Sequence, residues 1–461
     1  MLATRATVAP LLGAVLALPA PDLAADSLVS PEACDQAGLS AYWQVRVPLL
    51  PGERVEGVYP RDRQVYLTTN MGVLVAVAAD TGLVRWQVSL AEHGSTIHAP
   101  FNVGSDPQTG YVLVTTVSNL FLLEQLDGGV LLKLPLRLPP SGPAVTDGSR
   151  VFVGGNNGWL HAIPLHDGFL KWRAEGNLID RTIWLNALGP SGLIGVERPA
   201  PMGIWGGDWS LRLGSPVPSP VALSDGRLYF ATEAGRVFCV TSADKREIWS
   251  RQLRGGISGT VAVDAGGTYV AGTDHSLYCF APGDGSLIWR YRMDGPCETG
   301  PVLTDDTLYQ LSTGAGLYAV ELPSGSLRWR LEEGRQLLAR DGAVAYILAG
   351  EDLAVVDNAI GRIRHRLAVG SADLAAVNTE DPAVYLCNSN GTLICLQPKL
   401  VPYLRQEQVR REMRRPSEAF QAVDAEVRDI VESSERPPAE RHPLESTSPA
   451  PRPPGEPPPA P

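Results

Sequence analysis

The 461-residue sequence predicts an all-β chain folded as a β-propeller of four-stranded antiparallel blades. Three observations carry the prediction. A short unit of three extended segments recurs along the chain, and a tryptophan closes it at positions 249, 289 and 329, an interval of 40 residues. The two ends of the repeat region hold complementary fragments of one unit. A period near 40 built from short strands is how a propeller blade reads in sequence.

The clearest copy is TYVAGTDHSLYCFAPGDGSLIWRYRM, residues 268–293. Its segments 268–272, 277–281 and 287–291 are rich in β-branched, aromatic and leucine side chains and are too short for helices. Asp274 with His275, and Gly283, Asp284 and Gly285, supply breaks that tolerate positive φ. The middle segment is apolar throughout, as in a strand covered on both faces.

Taken in order, residues 1–25 carry one basic residue, Arg5, an apolar stretch from about Val8 to Leu18, and small residues at Ala24 and Ala25. That is the pattern of an export signal, since the apolar run is too short to span a bilayer and contains Pro10. Cys34 lies too far beyond it to resemble a lipoprotein acceptor, and no other stretch is long and apolar enough to span a membrane. A lone strand around Trp43 (AYWQVRV) follows.

Further copies end at Trp86 (ADTGLVRW), Trp172 (HDGFLKW), Trp249 (ADKREIW), Trp289 and Trp329 (PSGSLRW), with weaker ones near Lys133 and at His365. A first strand with small residues or proline precedes several of them, as in SGPAVTDG, PSPVALSDG, SGTVAVDAG and TGPVLTDD. Trp172 and Trp249 stand 77 residues apart, close to two periods, and Trp209 lies between them. Residues 177–214 are therefore a degenerate blade or a blade-sized insertion, and the two prolines of LIGVERPAPMGIWGGD disfavour paired strands there. AVYLCNSNGTLICLQP, 383–398, supplies two strands and stops before any tryptophan-bearing one. Pairing the Trp43 strand onto it closes the ring and removes exposed sheet edges. Eight blades are counted over 39–400, with a ninth left open.

Residues 401–435 form a helical extension. Phe420, Val423, Val427, Ile430 and Val431 recur at helical spacing behind Ser417. Residues 436–461, dominated by Pro, Ser, Glu and Arg, read as a disordered tail. The formal net charge of −11, with no basic stripe in the repeats, argues against nucleic acid as a partner.

The copies VLVAVAADTGLVRW, SLYCFAPGDGSLIW and GLYAVELPSGSLRW resemble the PQQ-like, or quinoprotein-type, β-propeller over roughly 40–400. The resemblance implies eight blades whose repeated tryptophan docks between neighbours. Trp43, Trp86, Trp172, Trp249, Trp289 and Trp329 are accordingly assigned to blade packing, each worth on the order of 3 to 5 kcal/mol when buried. The family holds quinone-dependent dehydrogenases as well as scaffolds. Its eight-bladed dehydrogenases use adjacent cysteines and an acidic calcium cluster, and this chain has no adjacent cysteine pair. Another relative is the periplasmic propeller subunit of the outer-membrane β-barrel assembly machinery, from which the missing acceptor cysteine sets this chain apart.

Six cysteines permit disulfides in an exported chain. Cys239, Cys279 and Cys395, however, share a third-strand position with Ala76, Ala162 and Ala319, which makes them small core residues. With a two-residue turn at Asn390 and Gly391, Cys387 faces Ile394 and Leu386 faces Cys395, so the two thiols point to opposite faces. One more loop residue would place them opposite each other, and the pairing of Cys34, Cys297, Cys387 and Cys395 stays open. His93 and His98 have no acidic or cysteine partner nearby and read as loop residues. The tripeptide Arg340, Asp341, Gly342 falls where other blades place a turn. No serine-hydrolase elbow, phosphate loop or zinc-protease motif is present.

The sequence thus describes an exported, monomeric, non-catalytic propeller that serves as a scaffold for protein partners in the periplasm, cell envelope or extracellular space. It assigns no catalytic residue, cofactor or metal ligand. Two alternatives are a PQQ-dependent dehydrogenase, which predicts quinone and calcium uptake, and a carbohydrate- or matrix-binding module, which predicts retention on polysaccharide.

Overall fold

The computed structural model of the protein describes residues 28–91, 94–104, 110–136, 139–164, 209–218, 220–370 and 372–399. The export signal, Trp172, His93, the helical extension and the tail lie outside them. Among the described residues the strands form eight four-stranded antiparallel sheets. Blades 1 to 7 cover 55–89, 101–135, 145–212, 222–252, 262–292, 302–331 and 334–368 in chain order. Blade 8 takes three strands from 374–398 and its outer strand, Leu39–Arg46, from the other end of the repeat region. Leu39 pairs with Pro398 and Arg46 with Thr392, which closes the ring.

The count is eight rather than nine because of blade 3. Its third strand, Trp159–Pro164, pairs with Trp209–Arg212, and Ala162 stands opposite Trp209. The tryptophan expected from HDGFLKW is therefore supplied to this sheet by Trp209. Residues 177–214 do not add a blade among the described residues.

Each sheet is built on one cross-strand row. A second-strand side chain, a third-strand side chain and an outer-strand side chain stand in line. The rows are Tyr66, Ala76 and Trp86; Phe152, Ala162 and Trp209; Tyr229, Cys239 and Trp249; Tyr269, Cys279 and Trp289; Tyr309, Ala319 and Trp329; and Tyr385, Cys395 and Trp43. Blade 2 has Leu113, Leu122 and Leu132, and blade 7 has Tyr346, Val355 and His365. The small Ala or Cys leaves room for the indole and the aromatic ring, whose centroids lie 5.8 to 6.2 Å apart. Where the indole is absent, the middle residue grows to Leu or Val. Interior packing at near-crystal density explains the exchange, because volume removed from one position must return at its neighbour.

The cysteines follow the same logic. All six are free and buried, and burial pushes the thiols of Cys279, Cys297 and Cys387 up to about 12. The turn after Cys387 is longer than expected: Leu386 faces Ile394, Cys387 faces Leu393 and Tyr385 faces Cys395. Cys387 and Cys395 therefore share a face as diagonal neighbours, the reverse of the orientation that a two-residue turn imposes.

Candidate interaction surface

The docking of the repeat tryptophans determines which surfaces remain free. Each indole Nε1 donates to a backbone carbonyl at the third-to-fourth turn of the next blade: Trp43 to Ala79, Trp86 to Gln125, Trp209 to Ser242, Trp249 to Pro282, Trp289 to Leu322 and Trp329 to Asn358, at 2.8 to 3.0 Å. Five of these turns place a glycine of positive φ under the indole: Gly82, Gly128, Gly285, Gly325 and Gly361. The turn that receives Trp209 has Lys245 at that position, at φ 54.

The two blades without the indole are those whose successor lacks the short turn. Blade 2 precedes blade 3, where residues 165–208 lie between the third and fourth strands. Blade 7 precedes blade 8, whose outer strand comes from the other end of the chain, so no turn exists there. His365 stands exposed at the blade 7 position. A short helix, Pro31–Gln36, packs on that outer strand instead. Leu28, Val29, Cys34 and Ala37 join Tyr346, Val355 and Leu367 in one buried cluster across the seam.

The opposite face of the outer strands carries a different series. The third-strand residue before each small core position is Phe238, Tyr278 and Tyr318 in blades 4, 5 and 6, and opposite them stand Ser250, Arg290 and Arg330. The Arg290 guanidinium lies 5.1 Å over Tyr278, and that of Arg330 lies 5.4 Å over Tyr318. In blade 4 the cation comes from Arg236, 4.7 Å over Phe238. Tyr278 donates its hydroxyl to Asp274 at 2.5 Å and Tyr318 to Asp294 at 2.8 Å. Asp274 lies 3.7 Å from Arg290, and Asp294 pairs with Arg330. Arg290 also donates to Ser276 Oγ, and Arg330 to the carbonyl of Ala315.

The rings are buried, while the Arg290 and Arg330 side chains stay 34% and 30% exposed. Burial and then the hydrogen bond to the neighbouring aspartate hold each of these tyrosines above its ordinary pKa, so both remain donors at neutral pH. The result is two planar cations, one blade apart, each fixed from behind by a ring, a carboxylate and a hydrogen bond. Guanidinium planes held this way lose little entropy on meeting a carboxylate or an aromatic ring. Repetition of a Tyr and an Arg 12 residues apart, at Tyr278 and Arg290 and again at Tyr318 and Arg330, is the sequence signal for this pair.

His98 has its Nε2 buried without a hydrogen-bond partner, and burial lowers its pKa. Among the described residues no group of three or more His, Cys, Asp or Glu side chains is placed to hold a metal. No described helix is long and apolar enough to cross a membrane. Arg340 lies near the end of the strand Gly334–Asp341, with Gly342 in the turn that follows, and reaches to Asp306 and Thr304 of blade 6.

A family model described as the outer membrane protein assembly factor BamB matches residues 70–182, 180–329 and 273–432. The chain belongs to the BamB family. The match rests on the repeats, so the position of Cys34 does not enter it. The BamB of Yersinia pestis is 33% identical over 124 residues, 25% of this chain and 30% of that protein. The chain thus spans less than a third of that relative's length in the match. The crystal structure of BamB from Moraxella catarrhalis superimposes with a TM-score of 0.58 at 16% identity, covering 79% of this chain and 99% of that one. The computationally designed Ika8 protein gives a TM-score of 0.54 at 13% identity, over 74% of this chain and 96% of its own. At these identities the two structures share the fold alone with this BamB-family chain.

Proposed function

We propose that this BamB-family protein is an exported, non-catalytic scaffold of the periplasm or cell envelope that holds protein partners during outer membrane protein assembly. Membership of a family named for that assembly supports the setting. The observation that carries the binding role is the pair of fixed guanidiniums, Arg290 and Arg330, on adjacent blades. Arginine and tyrosine dominate protein interface hot spots, and preorganisation lowers the cost of using them. In this proposal residues 1–25 are an export signal, 39–400 the propeller, 401–435 a helical extension and 436–461 a disordered tail.

Affinity capture from envelope extracts tests the reading. The variant is Arg290→Ser with Arg330→Ser, since Ser250 already fills the same position in blade 4. The wild type retains a defined set of envelope proteins and the double variant loses part of it at unchanged melting temperature. An identical retained set from both proteins would remove this surface from the binding role.

A further inference from the structure

The axis of the ring holds a cavity of about 590 Å³, within the range of ligand sites. Its wall is aliphatic, with Val58, Val263, Val302, Leu303, Ala375 and Val377 from the inner strands of four blades and the residues just after them. Of the lining residues only Arg61 is basic and only Glu56 is acidic, and both lie on the inner strand of blade 1. That strand, Val55–Arg61, is 7 residues long and that of blade 7, Gly334–Asp341, is 8. The other six inner strands have 2 or 3 residues. Glu56 to Arg61 spans about 16 Å of extended chain. The inner strand has one sheet neighbour, so its other edge faces the axis. The Val55 N–H is taken by the Ser389 carbonyl, Pro60 has no N–H and its carbonyl accepts from Arg61, and the Arg61 carbonyl accepts from Asn102, which leaves the backbone of residues 56–59 on that edge. An unpaired edge is a template for another extended chain.

The inner strands all run in one direction, which puts every first-to-second turn at the same end of the axis. In seven blades that turn carries carboxylates among the described residues: Asp62, Asp147, Asp225, Asp264, Asp305 with Asp306, Asp341, and Glu380 with Asp381. Those beside the cavity wall are not all matched by cations. Asp62 accepts from the Asn102 amide at 2.7 Å, Asp264 from the backbone of Gly266 and Gly267, and Asp381 from Asn378 and the backbone of Ala383. Asp305 is exposed. Glu380 is exposed on this rim; partial burial and then the charge of Asp62 raise its carboxyl pKa, while the backbone N–H of Asp62 and the charge of Arg61 oppose the shift.

We propose that the axial cavity binds an extended peptide strand, its backbone along the open edge of residues 56–59, its apolar side chains against the aliphatic wall, and a lysine or arginine among the carboxylates of the mouth. The backbone edge favours a peptide over a simple amphiphile, which has no donors and acceptors at strand spacing. The site is separate from Arg290 and Arg330, so either can fail without the other.

The test is fluorescence anisotropy on the full-length protein with a labelled peptide, acetyl-Val-Ser-Val-Ser-Val-Arg, and its counterpart ending in Gln. The Arg peptide binds at least about tenfold tighter at low salt, and the preference collapses at high salt. Asp305→Asn with Glu380→Gln removes the preference, and Val302→Trp, which fills the cavity, abolishes binding of both peptides. Arg290→Ser leaves both affinities unchanged. Circular dichroism verifies folding, and the mouth variant alone decides the matter should Val302→Trp misfold. The proposal is overturned if neither peptide binds, if the mouth variant keeps the preference, if a folded Val302→Trp protein still binds, or if dodecylammonium occupies the cavity while the peptides do not.

Discussion

Substituting Gly82 by alanine tests whether the tryptophan dock holds the ring closed. Gly82 sits at φ +71 in the turn of blade 1 beneath Trp43, which belongs to the closing blade. A Cβ there would lie 2.6 Å from Cδ2 and Cε3 of the indole, so the ring must move. Two costs follow. Left-handed backbone at alanine costs about 1 to 2 kcal/mol. Moving the indole lengthens its 2.8 Å hydrogen bond to Ala79, and a buried donor left unpaired costs about 1 to 3 kcal/mol. Gly226 is the matched control: φ is +69 and no atom lies within 4 Å of the added methyl. Gly226→Ala should therefore cost only the backbone term, and Gly82→Ala about 2 to 5 kcal/mol in total. Urea unfolding followed by fluorescence measures both. A second background separates the terms, because Trp43→Leu with Cys395→Leu copies the Leu132 and Leu122 pair of blade 2. In that background Gly82→Ala should fall to the cost of Gly226→Ala. Equal costs for the two single variants, or an undiminished cost in the leucine background, would refute the dock.

Three further outcomes are expected. Burial opposes ionisation of Asp306, but hydrogen bonds from Arg340, Thr307 and Arg328 together bring its pKa down to about 2, below the usual 3.8. Because the folded value is the lower one, its stabilisation is present above pH 4 and is lost as pH falls toward 2. Allowing for solvent screening of a side chain 50% exposed, Asp306→Asn should remove about 1 kcal/mol at pH 7 and only a small part of that at pH 2, where the folded-state carboxyl is about half protonated, by urea titration at the two pH values. The six buried thiols should not react with a disulfide reagent at pH 8 in the folded protein and should all react in denaturant; a fast-reacting thiol under native conditions contradicts their burial. At the seam, Val29→Asp buries an unpaired charge and should cost more than about 3 kcal/mol, whereas Asp35→Asn, which breaks only an exposed pair with Lys399, should shift thermal unfolding by less than about 1 kcal/mol.

The fold was legible wherever its cause was local. The strands Thr268–Gly272 and Leu287–Arg292 are visible in their composition and in the glycine turns that bound them. HDGFLKW satisfies every local requirement of the repeat, yet Trp172 lies outside the described residues, and the described partner of Trp159–Pro164 lies beyond residue 208. Cys387 and Cys395 misled through the turn between them. Asn388 closes the turn by donating its N–H to the Thr392 carbonyl at 2.9 Å, and the added loop length reverses which residues share a face. The helix Pro31–Gln36 has 6 residues, too few for a periodic signal. Arg290 and Arg330 carry no signal of their own in the sequence, because an outer-strand arginine read alone is an ordinary solvated charge. Only the buried tyrosine on the neighbouring strand gives it a fixed orientation.

The repeat tryptophan is best understood as a property of an interface rather than of a blade. Read blade by blade, Leu132 and His365 look like decay of the motif. Read across interfaces, each stands where the next blade offers no short turn to receive an indole. An indole at His365 would be left exposed with its N–H facing water, since the strand that follows enters from the helix Pro31–Gln36. The seam is sealed by aliphatic side chains of 28–39 instead. The consequence is directional: a tryptophan in one unit of such a chain forecasts a glycine-bearing turn in the unit after it, and its loss forecasts an insertion or a closure point there. Both exceptions in this sequence obey that rule. Lys245 marks its tolerance, for a side chain replaces the glycine and its Nζ donates 3.0 Å to the Ser210 carbonyl, beside the indole that the turn receives.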